Sequence, residues 1–143
     1  MKNFKNFLFE LAFSRNVAED KISGYSYELN NHICKIIIDP NNISIKHWVK
    51  EIYNFCLIVS RIKLKNSKSV KEKDILNWLF ETSIDSEKQF KDMVEGIIWE
   101  YDLDAKYNDK MWSQYTKIKN EIIKLIADDN INHVNIINLF KKL

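Results

Sequence analysis

The sequence predicts an all-α fold, in which six or seven helices of unequal length pack as an irregular orthogonal bundle. Its 143 residues include only two glycines and one proline, whereas the turns, bulges and corners of β-rich folds need these residue types in quantity. Apolar residues also recur at spacings of three and four, as expected for amphipathic helices. The clearest such run consists of Phe90, Met93, Val94, Ile97, Ile98 and Tyr101.

A single helical domain spanning residues 1–143 is expected from length and composition. Hydrophobic residues make up 45% of the chain, and charged residues of nearly balanced sign make up 29%. This composition favours a packed core over intrinsic disorder. No internal repeat, low-complexity tract or linker rich in proline and glycine marks a domain boundary. A weak hinge at residues 65–71 is the one candidate division.

Two helices are predicted before Pro40. An apolar stripe predicts the first at about residues 2–14, and helical spacing of apolar residues predicts the second at about residues 17–38. The second helix ends before the proline, because that position disfavours helical backbone. A small β-hairpin within residues 25–38 is the alternative, since apolar and polar residues alternate where this segment starts and β-branched residues close it.

A third helix is predicted at about residues 45–64, where Ser44 is a suitable N-cap and Trp48 belongs to the core face. An exposed loop is expected at residues 65–69. A capping box in this region predicts that a further short helix begins near residue 70.

The C-terminal half contains three more predicted helices. The first begins at Asp85 or Ser86, covers about residues 86–102 and includes Tyr101 in its core face. The second covers about residues 105–127. Asn132 is expected to cap a short final helix.

No spacing of reactive residues amounts to a catalytic, metal or nucleotide signature. The three histidines are too dispersed to share a metal ion, and neither cysteine has a neighbouring base for nucleophilic catalysis. Two isolated glycines cannot build a phosphate-binding loop. The acidic pairs Asp102/Asp104 and Asp128/Asp129 lie at predicted helix ends, where aspartate is favoured for local reasons. We therefore expect no metal and no cofactor.

A basic segment covers residues 61–73. Its positively charged residues are Arg61, Lys63, Lys65, Lys68, Lys71 and Lys73. Such a segment can contact phosphates from a helix end and a loop. It has no interleaved aromatic residues for base stacking, however, and a formal net charge of +2 is too small to predict nucleic-acid binding from bulk electrostatics. A solvated loop is the simpler interpretation.

An acidic region with aromatic residues lies between Glu81 and Asp109. Trp99 falls outside the apolar stripe of its helix, because Glu95, four residues before it, and Asp102, three residues after it, are polar. An exposed tryptophan among carboxylates is typical of a surface that binds a basic protein. The alternative is an acidic face that only aids solubility. The predicted partner-binding residues are Glu95, Trp99, Glu100, Asp102, Asp104, Tyr107 and Asp109.

The leading functional hypothesis is a non-catalytic protein-binding module, of the inhibitor, immunity-protein or antitoxin type, that sequesters a basic protein such as a nuclease toxin. The alternatives are a nucleic-acid-associated accessory subunit that uses residues 61–73, and an enzyme whose active site the sequence does not reveal. No apolar run reaches the length of about 18 residues that a membrane span needs, and no cleavage site follows the apolar N-terminal run. A cytoplasmic protein without a membrane partner is therefore expected.

Overall fold

The computed structural model describes residues 19–65, 77 and 79–143. This part of the chain contains five helices with the bounds α1 (Glu19–Ile38), α2 (Ile45–Lys65), α3 (Glu87–Glu100), α4 (Asp109–Ala127) and α5 (His133–Lys141). A sixth helical segment ends at Glu81, and the described ranges contain no strand. The predicted all-α bundle is thus confirmed. The predicted helix at residues 2–14 and the predicted helix start near residue 70 lie outside the described residues.

Helix α1 lies at the centre of the bundle, where it packs against α2, α3 and α4, while α5 packs against α2 and α4. The buried residues of α1 are Ser26, Leu29, Asn30, Ile33, Cys34, Ile36 and Ile37. A half-buried strand would bury every second side chain, whereas burial here follows the period of a helix. The helix predicted at about residues 17–38 is therefore confirmed, and the alternative hairpin within residues 25–38 is wrong.

The core face of α2 contains Val49 rather than the predicted Trp48. The helix begins directly after Ser44, and Val49 and Ile52 are almost completely buried. Trp48 is half-buried and packs against the edge of the core, so its prediction as a core residue needs correction. Residues 49, 52 and 56 share one helix face, and position 48 falls at the margin of that face, beside Lys35 of α1.

Side-chain caps fix the starts of α3, α4 and α5. Ser86, Asn108 and Asn132 each accept a hydrogen bond from the backbone N–H three residues further on, at 3.3, 3.2 and 2.9 Å. Such caps satisfy N–H groups that have no partner inside the helix. The predicted caps Ser86 and Asn132 are confirmed. Helix α4 begins at residue 109 rather than near 105, because Asn108 is its cap.

Helices α3 and α4 end in the same backbone motif, with an aspartate in the left-handed region. Asp102 has φ 50° and Asp129 has φ 57°, and the N–H of the following residue donates to the carbonyl oxygen five residues back, at 2.9 Å in α3 and 2.8 Å in α4. This is the Schellman arrangement, which usually has glycine at the left-handed position. Because α3 ends here, Tyr101 leaves the apolar stripe and is 53% exposed, which corrects its prediction as a core residue.

A buried polar network joins α1, α4 and the segment around residues 80–83. The Nδ2 of Asn30 donates to the Phe80 carbonyl oxygen and to Ser83 Oγ, both at 2.8 Å, and its Oδ1 accepts from the Tyr115 hydroxyl at 2.6 Å. Ser26 Oγ lies 3.0 Å from Ser83 Oγ. Burial raises the pKa of Tyr115, so its hydroxyl remains a donor. Since buried polar groups are costly unless they are paired, the network fixes how these elements meet.

Candidate functional site

The outward side of α3 presents a tryptophan to solvent. The helix buries Phe90, Val94 and Ile97 against the core, and helical geometry therefore turns the residues between them away from it. Trp99 is 83% exposed. We call the outward residues the Trp99 surface; they are Asp92, Glu95, Gly96, Trp99 and Glu100, and all are exposed.

A groove that we call the Tyr27 groove lies on one side of Trp99, between α1 and α3. It has a volume of about 630 Å³, and its wall residues include Tyr27, Asp92, Gly96, Trp99 and Glu100. Tyr27 is 54% exposed. No lysine or arginine of the described ranges lines this groove. A Cβ atom added at Gly96 would meet nothing within 4 Å, so the floor of the groove is open.

A second groove, the Tyr107 groove, lies on the other side of Trp99 and has a volume of about 770 Å³. Its charges are mixed, because Lys91 and Lys106 line it together with acidic residues. Lys91 Nζ lies 3.8 Å from Glu95 Oε1 and 5.7 Å from the centroid of the Tyr107 ring. Lys91 and Glu95 of this groove therefore already have partners within the chain.

Tyr107 is tied to the beginning of α3. Its hydroxyl donates to Glu87 Oε1 at 3.0 Å, and its ring packs edge-on against Phe90 with 6.0 Å between centroids. Desolvation, together with this hydrogen bond, raises the pKa of Tyr107 to about 12. Tyr107 thus braces the loop between α3 and α4 and keeps its proton at neutral pH.

The predicted partner-binding residues separate into three groups. Trp99 and Glu100 line the Tyr27 groove, Glu95, Asp102 and Tyr107 line the Tyr107 groove together with Trp99, and Asp104 and Asp109 line neither. Asp104 is exposed in the loop after α3, and Asp109 is the first residue of α4.

The predicted partner-binding residues do not include Tyr27, Asp92 and Gly96, which line the Tyr27 groove. For Asp92 and Gly96 a signal existed, because positions 92, 96, 99 and 100 fall on one helix face. Tyr27 lies on a different helix, and no local pattern links it to Trp99.

Two aromatic rings, those of Tyr101 and Trp48, lie beside Lys35. Its Nζ lies 5.3 Å from the ring centroid of Tyr101 and 6.0 Å from that of Trp48, within the range of cation–π attraction. A groove of about 200 Å³ includes these residues and Asp39. Lysines of the chain itself thus lie over the rings of Trp48, Tyr101 and Tyr107.

The basic segment is only partly described. Arg61, Lys63 and Lys65 belong to the last turns of α2, whereas Lys68, Lys71 and Lys73 lie outside the described residues. Binding of nucleic acid by this segment stays a prediction.

His32 is the histidine with the most perturbed environment. Its ring stacks on Phe55 with 6.4 Å between centroids, and its buried Nδ1 has no hydrogen-bond partner among the described residues. Burial, and then the charge of Lys35, lower the pKa of His32 to about 4; Glu51 opposes the shift and His47 adds to it. The imidazole is therefore neutral at pH 7.

The two cysteines are buried in the core. Cys34 Sγ donates a weak hydrogen bond to Met93 Sδ at 3.7 Å. Burial raises the pKa of Cys34 and of Cys56, so both remain protonated thiols, which are poor nucleophiles. In the ranges that the structure covers, no three His, Cys, Asp or Glu side chains are grouped to hold a metal ion.

Two further findings bear on function. None of the described helices combines the length and apolar character that a membrane crossing requires. Comparisons of the chain with protein-family models, with curated proteins and with solved structures found no match.

Proposed function

We propose that this protein is a non-catalytic binding module that captures a basic protein partner with the Trp99 surface. The single observation that carries the proposal is the 83% exposure of the Trp99 side chain on a helix whose opposite face is fully packed. Tryptophan is enriched among the residues that dominate the energy of protein interfaces. Leaving such a large apolar side chain in water has no benefit for the free monomer.

The charges around Trp99 favour a cationic partner. Asp92, Glu95, Glu100 and Asp102 line the two grooves beside it. Among the described residues, Asp92 and Glu100 form no ion pair, whereas Glu95 is paired with Lys91. Complementary charges speed diffusional encounter and disfavour wrong partners.

The functional type that we propose is an inhibitor, an immunity protein or an antitoxin. Proteins that act on nucleic acids carry basic surfaces for phosphate contacts. An acidic surface with an aromatic anchor is complementary to such a surface and would block it on binding. A nuclease toxin is therefore our candidate class of partner.

The test begins with a photo-cross-linking amino acid at position 106, on the rim of the Tyr107 groove, to identify the partner in the native host. Binding kinetics with the purified partner then decide. Because a buried aromatic anchor controls dissociation, Trp99→Ala should raise the dissociation rate roughly thirtyfold. Glu100→Lys should slow association and reduce its salt dependence, because peripheral charges steer the encounter.

Asp128→Lys is the matched control, since Asp128 is an exposed carboxylate at the end of α4 that lines neither groove. This variant should leave both rates unchanged. A partner whose kinetics are indifferent to Trp99→Ala and to Glu100→Lys would contradict the proposal.

A further inference from the structure

We propose that the Tyr27 groove is the binding site for one arginine side chain of the partner. The guanidinium packs against the rings of Tyr27 and Trp99 beside Gly96. It also forms an ion pair with Asp92 or Glu100. This inference rests on the proposed function and names the chemistry that the groove recognises.

The first argument is that the rings of Tyr27 and Trp99 have no cation over them within the described residues. Lys35 lies over the rings of Trp48 and Tyr101, and Lys91 lies over the ring of Tyr107. Within residues 19–65 and 79–143, no described cation lies over Tyr27 or Trp99, although both rings are exposed. Of the three exposed tyrosine and tryptophan side chains in these ranges, Tyr101 thus has a cation from the chain itself, whereas Tyr27 and Trp99 are available to a cation from outside.

The second argument is the charge of the groove. Glu81 pairs with Lys119 at 3.2 Å, and Glu95 pairs with Lys91. Asp92 and Glu100 have no such partner in the described part of the chain, and the Tyr27 groove that they line contains no described lysine. The Tyr107 groove carries two lysines. Of the two grooves beside Trp99, only the Tyr27 groove therefore combines aromatic rings with uncompensated negative charge.

The third argument is Gly96. Glycine in the interior of a helix is unfavourable relative to alanine, and a Cβ atom at this position would meet nothing within 4 Å. Packing inside the protein thus gives no reason for a glycine. Its missing side chain keeps the floor of the groove open beside Trp99, so that a flat group can approach the helix closely.

These three features together select arginine rather than lysine. The guanidinium is planar, stacks on aromatic faces and donates two parallel hydrogen bonds to one carboxylate. The lysine ammonium is a compact, strongly hydrated charge that gains less from contact with aromatic faces.

The test uses small probes, so that it does not depend on knowing the partner. N-acetyl-arginine amide, the corresponding lysine compound and the neutral citrulline compound are titrated into the millimolar range at constant ionic strength. The signals followed by NMR are the Trp99 indole N–H and the Gly96 amide. We expect the arginine probe to shift both signals and the citrulline probe to bind roughly tenfold more weakly, because it lacks the charge. The lysine probe should fall between them.

A pair of glycine variants supplies the control. Gly96→Leu fills the groove with a good helix former and should abolish the arginine shift. Gly24→Leu makes the same change in α1, where a Cβ atom also meets nothing within 4 Å and which does not line the groove; it should leave the shift intact. Equal shifts from arginine and citrulline, a lysine probe that binds as tightly as arginine, or an undiminished arginine shift in Gly96→Leu would each overturn the inference.

Failure of this inference is separable from failure of the proposed function. A partner that loses affinity on Trp99→Ala but binds Gly96→Leu as well as the wild type would leave the Trp99 surface as the interface and overturn the arginine binding site. A partner indifferent to Trp99→Ala would overturn the proposed function itself.

Discussion

Two polar and aromatic clusters of this protein differ in how completely their groups are paired. Around Asn30, both side-chain amide hydrogen-bonding atoms have partners, and the Tyr115 hydroxyl is used as a donor. On the Trp99 surface, a large ring and two carboxylates have none among the described residues. Unpaired groups are costly in the interior but not in water. The first cluster therefore serves stability, and the second is free to serve recognition.

The largest expected contrast is between two aromatic residues of α3. Phe90 is completely buried and contacts the rings of Tyr107, Trp112 and Tyr115. Phe90→Ala should lower the free energy of unfolding by about 3–5 kcal/mol, because it leaves a cavity in the core. Trp99→Ala should change it by less than about 0.5 kcal/mol. Urea denaturation measures both, and a large loss for Trp99→Ala would show that this ring is structural.

The buried network itself is tested by Asn30→Ala. The Tyr115 hydroxyl and the Phe80 carbonyl would lose their partner while buried, so the free energy of unfolding should fall by about 2–4 kcal/mol. Asn54→Ala is the matched control on an exposed position of α2 and should stay within about 0.5 kcal/mol. Equal effects of the two substitutions would mean that the network contributes nothing specific.

His32 is intermediate between the buried Asn30 network and the exposed Trp99 surface. It is half-buried, and its Nδ1 has no hydrogen-bond partner among the described residues. Burial lowers the pKa of His32 in the folded protein from its ordinary value of 6.5 to about 4, so the unfolded chain takes up the proton first as the pH falls. The contribution of neutral His32 to the free energy of unfolding is thus fully present above pH 6.5 and is lost as the pH falls toward 4. Allowing for solvent screening, wild type should lose about 1 kcal/mol more than His32→Phe between pH 7 and pH 5.

Urea midpoints at the two pH values measure this difference. His133→Phe changes an exposed histidine and should keep the pH dependence of the wild type. If the free energy of unfolding of His32→Phe depends on pH as that of the wild type does, groups other than His32 cause the loss of stability in acid.

The smallest expected effects are gains in stability at the two glycines. Gly24→Ala and Gly96→Ala should each raise the free energy of unfolding by about 0.5–1 kcal/mol, because alanine restricts the unfolded chain and both positions are open. Thermal unfolding measures both. We expect both substitutions to stabilise the fold and only Gly96→Ala to weaken partner binding. That result would show that the Tyr27 groove affects recognition independently of stability.

The helices could be predicted from sequence because the relevant signals are local. Period, caps and breakers placed the end of α1, the starts of α2 and α5 and both ends of α3 within about two residues, and the polar residues Glu95 and Asp102 correctly indicated that Trp99 is exposed. Tyr101 was wrongly assigned to the core face of α3, because Asp102 adopts a left-handed conformation that its residue type does not dictate. The ion pair between Lys91 and Glu95 could have been predicted from their four-residue spacing alone.

The Tyr27 groove and the Asn30 network could not have been predicted. Tyr27 meets the Trp99 surface only through the packing of α1 against α3, and Asn30 finds Tyr115 only through the packing of α1 against α4. Contacts between residues far apart in sequence depend on the arrangement of whole helices, which amphipathic period does not determine.

The aspartates that end α3 and α4 leave this protein with room for redesign. The left-handed position favours glycine, and a negative charge at a helix C-terminus opposes the helix dipole. At Asp102 and Asp129, glycine would thus suit the backbone conformation better than aspartate does. Asp129, which lines neither groove beside Trp99, is therefore a place where one substitution can compensate for destabilising changes made elsewhere, so that the binding specificity of α3 can be altered without loss of the fold.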